Sequence, residues 1–78
     1  MTPILRSITA RQIVSALERD GWAWRRNAGS HRYYKKDGRL VVVPYHRPGD
    51  TFPSGTLANI IAQAGWTDDD LRRLKLLK

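Results

Sequence analysis

His31 is the side chain in this sequence best suited to chemistry. It stands in Gly29-Ser30-His31-Arg32-Tyr33-Tyr34-Lys35-Lys36, directly after a Gly-Ser pair, with Arg25 and Arg26 a few residues upstream. An imidazole is the one ordinary side chain that exchanges protons readily near neutral pH. Cations gathered around such a group supply what a polyanion needs. RNA fits this combination, because it carries its own nucleophile in the 2′-hydroxyl. A protein can therefore cut it by positioning, proton transfer and charge stabilisation alone. A His can take the 2′-hydroxyl proton or deliver one to the leaving 5′-oxygen. Lys and Arg can stabilise charge building on phosphorus. Gly29 would let the backbone come close to a ligand. The plainer reading is that an isolated His is a polar surface residue.

The candidates for phosphate contacts are Arg25, Arg26, Arg32, Lys35 and Lys36. If the segment is a strand, alternation keeps them from all facing one ligand. The same alternation allows one of Tyr33 and Tyr34 to face an open side, where it could stack on an unpaired base, and sends the other to the core. Trp22, Trp24 and Trp66 read as core and helix-entry residues rather than base platforms. His46 could be a complementary acid or base, or could hold its loop structurally. Nothing in the sequence sets it opposite His31, which favours the structural role. Gly29 and Ser30 are auxiliary candidates at most. Two His with no Cys and no carboxylate cluster do not complete a metal coordination set, so no metal or other cofactor is expected.

The 78-residue chain carries 14 Lys and Arg against 7 Asp and Glu, for a net charge of +7 and a pI of about 10.6. The distribution says more than the total. From Arg25 to Arg47 there are seven basic residues and one acid, Asp37. Such a field favours nucleic acid, although a solvated basic face or an acidic protein partner would share it. The length suits one domain over residues 1–78 with a modest core. There are no cysteines, which excludes a disulfide framework and fits a reducing cytoplasm. No apolar run is long enough for a membrane span, and the N-terminus has no apolar signal segment.

The elements that must position these residues can be read in order. Met1 to Ser7, with Pro3, reads as a loose lead-in. Thr9 and Gln12 form a capping box, with Ile8 and Ile13 as its hydrophobic staple. Ile13, Ala16 and Leu17 then give the buried face of a helix from about Ala10 to Asp20, and Gly21 suits its end. Trp22 to Asn27 alternates as a strand, with Trp22 and Trp24 on one side. Ala28-Gly29-Ser30 is a turn, and His31 to Lys36 alternates again. Asp37-Gly38 is a strong two-residue hairpin signal. Arg39 to Pro44, carrying Leu40-Val41-Val42-Val43, is the return strand.

Tyr45 to Pro53 is a loop, and Ser54 reads as the cap of a second helix. Leu57, Ile60, Ile61 and Ala64 form its core stripe, and Gly65 ends it. Thr67 caps a short third helix with Asp68, Asp69 and Asp70 in its first turn. Trp66 and Leu71 make a staple, and Leu71, Leu74 and Leu77 a narrow apolar stripe. A helix this short needs a surface to pack on. Helices flanking a three-strand meander should cover one face of the sheet. The result is a two-layer α+β sandwich with its other face open to a ligand.

The ordered set Leu17…Asp20-Gly21-Trp22, Arg26…Gly29-Ser30-His31, Asp37-Gly38-Arg39, Val43-Pro44, His46 and Gly55-Thr56-Leu57…Ile60…Ala64-Gly65 resembles HicA, the small toxin of bacterial HicA–HicB toxin–antitoxin pairs. The resemblance covers roughly residues 8 to 66. No single piece is specific, whereas the ordered spacings are. It implies a double-stranded-RNA-binding-domain-like fold, α-β-β-β-α, here with a C-terminal helical extension over 67–78. It also implies an endoribonuclease acting on messenger RNA through the His of Gly-Ser-His, here His31, and a HicB-type antitoxin that covers the active surface. The family often has a second His after the first, where this chain has Arg32. Residues 67–78 extend past what many members carry. Three functions are thus open: a metal-independent endoribonuclease toxin, a non-catalytic RNA-binding module, and an interaction protein with an acidic partner. The first is the expectation.

Overall fold

The structure, a computed structural model, describes residues 8–76. The element order is α1 (Ala10–Arg19), β1 (Ala23–Ala28), β2 (His31–Lys36), β3 (Arg39–Pro44), α2 (Ser54–Ala64) and α3 (Asp68–Arg73). The expected lead-in over residues 1–7, and Leu77 of the C-terminal stripe, lie outside the described residues.

Helix α1 starts where its chemistry directs. The Thr9 hydroxyl accepts from the Gln12 backbone N–H at 3.2 Å, and the Gln12 side chain accepts from the Thr9 N–H at 2.8 Å. Two backbone donors that the first turn leaves without partners are thereby satisfied. Ile8, Ile13, Ala16 and Leu17 are buried, so both halves of the expected staple enter the core. The three strands form one antiparallel sheet in the order β1-β2-β3. Asp37 and Gly38 turn the second hairpin with φ of 51° and 77°. Two successive positive φ angles match the right-handed twist of the strands they join.

Both helical layers lie on one side. Tyr34, Val41 and Val43 point inward and meet Leu17, Leu57, Ile60 and Trp66 in a single core. Helix α2 also blunts one of the two edges of the sheet, that of β3, since the outward N–H of Val42 donates to Gln63 Oε1 at 3.0 Å. An edge strand left bare is an invitation to unwanted pairing. This is the α+β arrangement of a double-stranded-RNA-binding-like fold with one added C-terminal helix. Among the described residues no helix is long and apolar enough to cross a membrane.

Three details differ from expectation. Helix α2 is capped from Pro53 with no side-chain hydrogen bond, and Ser54 is already helical. The Leu57 N–H bonds to the Pro53 carbonyl at 3.0 Å, which starts the helix one residue before a Ser54 cap would allow. Strand β1 starts at Ala23, and its pairing shifts between Trp24 and Arg26. A bulge at Arg25 interrupts the simple alternation. Trp22 is buried, but Trp24 is 50% exposed and is not a core residue. It lies on the peripheral strand, held by its indole N–H to Asn27 Oδ1 at 3.0 Å.

The tail packs on the body of the protein. Thr67 and Asp70 form a second capping box, and Leu71, Leu74 and Leu76 are buried. Leu76 joins the stripe through a turn in which Lys75 takes a φ of 60°. At the seam sits Asp20, whose side chain is only 12% exposed. Its Oδ2 accepts from both Trp22 and Trp66 indoles, at 3.1 and 2.8 Å. Its Oδ1 accepts from Arg73 at 2.8 Å. Burial pushes this carboxyl up, but the bonds from Trp66, Arg73 and Trp22 and the Lys36 charge outweigh it and hold it below 3.8. One carboxylate therefore ties the end of α1, the chain entering α3, and α3 itself.

Candidate active site and nucleic-acid interface

Cross-strand pairing decides which side chains share the open face of the sheet. His31 opens β2 and is paired with Ala28 on one side and Pro44 on the other. Neither neighbour has a long side chain to lean over it, and His31 is exposed. The two-residue turn Gly29-Ser30 delivers it there, with Gly29 at φ 59°, a left-handed conformation that favours Gly. The Tyr45 N–H donates to the Ser30 carbonyl at 2.6 Å, so the ladder runs one step past His31 and fixes its end of the sheet. Among the described residues no group hydrogen-bonds to the imidazole.

The next row of the open face is Arg26, Tyr33 and Val42, and the one after it Ala23, Lys35 and Leu40. Arg26 lies over the Tyr33 ring, 4.6 Å from its centroid. Lys35 is exposed. His31, Tyr33 and Lys35 thus line one face at the two-residue period of a strand, with Arg26 beside them. Tyr33 is the tyrosine on this face, and Tyr34 is fully buried on the other. Burial pushes the Tyr34 hydroxyl up, and it has no hydrogen-bond partner among the described residues.

The remaining cations lie elsewhere. Arg25 occupies the bulge of β1 and is exposed. Arg32 points to the helix side, sandwiched between the rings of Trp24 and Tyr45 at 4.2 and 4.0 Å. Such stacking holds the guanidinium plane while leaving its charge in place. Lys36 is also on the helix side and donates to the Asp20 carbonyl at 2.5 Å, with its ammonium 3.6 Å from the Asp20 carboxylate. Its charge belongs to the fold. Of the five cations read from the sequence, two, Arg26 and Lys35, share the face of His31. The Trp24–Arg32–Tyr45 stack escaped sequence reasoning. Its signal was one aromatic on β1 and another just past the end of β3, which only register could bring to Arg32.

His46 is exposed and lines a depression with Pro44, Asp50, Thr51, Phe52, Pro53 and Thr56. Pro44 is the residue directly opposite His31, so the depression adjoins the His31 end of the sheet. Among the described residues no three His, Cys, Asp or Glu side chains gather as a metal site would require.

The division of the cations predicts two separable outcomes. Each phosphate contact removed lowers the slope of log affinity against log salt by about 0.7 for single-stranded nucleic acid. Arg26→Ala with Lys35→Ala is therefore expected to reduce the slope for a single-stranded RNA by about 1.4, measured by fluorescence anisotropy across salt concentrations. Lys36→Ala should instead lower the melting temperature and leave the slope within about 0.3. An unchanged slope in the double variant would remove the open face as the RNA surface.

Comparison of the sequence with curated proteins finds no match. The model of the family described as the HicA toxin of bacterial toxin–antitoxin systems matches residues 10–66. That span runs from the first residue of α1, through the sheet with its exposed His31, to Trp66 on the Asp20 carboxylate. The chain therefore belongs to the HicA toxin family, as the toxin of a toxin–antitoxin system whose implied partner is a cognate antitoxin.

Proposed function

We propose that this toxin is an endoribonuclease that cleaves messenger RNA without a metal ion, and that His31 moves the proton. The observation that carries the reading is the open face itself, with an exposed imidazole in line with Tyr33 and Lys35 and with Arg26 alongside. RNA laid along this face meets cations first and the imidazole at the end of the row. The 2′-oxygen attacks phosphorus, the bond to the 5′-oxygen breaks, and a 2′,3′-cyclic phosphate and a 5′-hydroxyl result. His31 accepts the 2′-hydroxyl proton or supplies one to the departing oxygen. Arg26 and Lys35, with Arg25 from the bulge of β1, stabilise the charge on the phosphoryl oxygens, and Arg32, held on the helix side, adds only to the positive field around the sheet. Tyr33 is the stacking surface for an unpaired base. The cognate antitoxin inhibits by covering His31, and charge steers an acidic partner to this surface quickly.

A second reading, a non-catalytic RNA-binding module, draws support from the absence of any hydrogen bond orienting the imidazole among the described residues. Catalytic His side chains are commonly held by a third group. One experiment separates the two. Purified protein is incubated with a long unstructured RNA in excess chelator, with and without the antitoxin. Cleavage to 5′-hydroxyl ends, blocked by the antitoxin, is the expected result. Salt-dependent binding without any cleavage would leave the binding module as the function. Cleavage undiminished by the antitoxin would remove the covering of His31.

A further inference from the structure

The depression beside His31 has a lining that the proposed reaction does not use. Its volume is about 190 Å³, below the roughly 300–1,000 Å³ of pockets that enclose drug-sized ligands. One planar ring system fits that scale. Its apolar surfaces are Pro44, Phe52 and Pro53, and its polar groups are His46, Asp50, Thr51 and Thr56. Flat rings with a few convergent polar atoms make a slot for an aromatic ligand with a hydrogen-bonding edge.

The charge pattern narrows the ligand. In a chain of net charge +7, the lining of this depression carries no Lys or Arg and one carboxylate, Asp50. A carboxylate repels phosphate and accepts hydrogen bonds only. Among the described residues nothing donates to the Asp50 carboxylate, although its backbone is well fixed. The Asp50 carbonyl accepts from the Ala10 N–H at 2.8 Å, and the Asp50 N–H donates to the Arg47 carbonyl at 3.2 Å. The neighbouring Thr51 bridges to Thr9. The side chain is thus an open acceptor on a hydrogen-bonded backbone in the lining of a depression sized for one ring.

We infer that this depression is a subsite for a single unpaired nucleobase of the RNA, and that it prefers a base presenting two adjacent donors, as guanine does with N1–H and N2–H₂. The inference rests on RNA being the ligand of the open face. Both rows meet at Pro44, so a strand whose phosphate lies at His31 can turn one base into the slot. Asp50 reads the donor edge, His46, Thr51 and Thr56 reach the remaining polar atoms, and Phe52 with the two prolines supplies the stacking surface. Uracil, with one donor between two acceptors, leaves part of the carboxylate unpaired.

The test needs no cleavage. Fluorescently labelled hexamers, 2′-O-methylated throughout, are compared by anisotropy: all-uracil, one central guanine, and one central inosine, which lacks the N2 amine. The guanine hexamer is expected to bind about tenfold tighter than the all-uracil one, the lower range for a bidentate base contact. The inosine hexamer should lose most of that advantage. In Asp50→Asn, whose backbone bonds are retained and whose folding is checked by thermal melting, the ratio should fall to within about twofold. Equal affinity for all three hexamers, or a guanine preference that survives Asp50→Asn, overturns the subsite. Equal affinities with the Asp50 amide resonance moving only on addition of the antitoxin would assign the slot to the protein partner instead. No binding to any hexamer would remove the RNA reading itself. A guanine preference without cleavage of ordinary RNA would keep the subsite and remove the nuclease.

Discussion

His31→Ala is expected to keep its fold and its affinity for RNA and to lose RNA cleavage by a factor of about 10²–10⁴, the usual contribution of one positioned acid or base. Each part of that expectation has its own cause. His31 is exposed and hydrogen-bonded to nothing among the described residues, so truncating it removes no core contact and leaves no buried group without a partner. Surface changes of this kind stay within about 0.5 kcal/mol of stability. Affinity is carried by the phosphate cations, and Arg26 and Lys35 sit in the rows beyond it. The measurement is single-turnover cleavage of an excess-chelated RNA beside an anisotropy titration of an uncleavable one. Cleavage within tenfold of the wild type would exclude His31 as the proton-transfer group and turn attention to His46. A parallel loss of affinity would mean that the imidazole holds the RNA rather than acting on it.

Asp20→Ala is the substitution expected to cost the most stability, about 3–5 kcal/mol. It strands two buried indole N–H groups, Trp22 and Trp66, and removes the ion pair that holds Arg73 and with it α3. A chain of this size has a total stability of roughly 4–12 kcal/mol, so the variant is close to unfolding. The melting temperature should fall by about 15–30 °C, read by circular dichroism. Asp20→Asn keeps one acceptor for the indoles but loses the charge and turns an amide N–H₂ toward the Arg73 guanidinium in place of Oδ1, and should cost about 1–3 kcal/mol. The pH dependence has a definite sign. The folded Asp20 carboxyl sits below 3.8, so its stabilisation is present at pH values above that and is lost as pH falls through the lower folded value. The gap in melting temperature between wild type and Asp20→Asn should therefore narrow below about pH 4. A constant gap from pH 7 to pH 3 would show that the charge of Asp20 contributes nothing.

The two substitutions mark a wider contrast. His31 could be picked out from its neighbours in the chain, because Gly-Ser, the tyrosines and the lysines surround it in sequence. Asp20 could not. It reads as the last residue of a helix before Gly21, and its three donors come from positions 22, 66 and 73. The added tail gains its anchorage there, although α3 lies beyond the residues 10–66 that the family model matches.

Periodicity, capping residues and turn chemistry act within a few residues of one another, and they were enough for the element order. Thr9 with Gln12, Asp37-Gly38, Gly65 and Thr67 each placed a boundary, and the meander between two helices gave the α+β class and the open face. What local chemistry could not supply was the partner of each side chain. The bulge at Arg25 shifted register, so Trp24 left the core to stack on Arg32 while Arg26 moved over Tyr33. Lys36, the end of a basic run in sequence, became a structural cation at Asp20. His46 came to share a depression with Asp50, Phe52 and Thr56, walled by the residue opposite His31. Register and the docking of one layer on another are sums over contacts distant in sequence, and only the folded chain brings those residues within reach of each other.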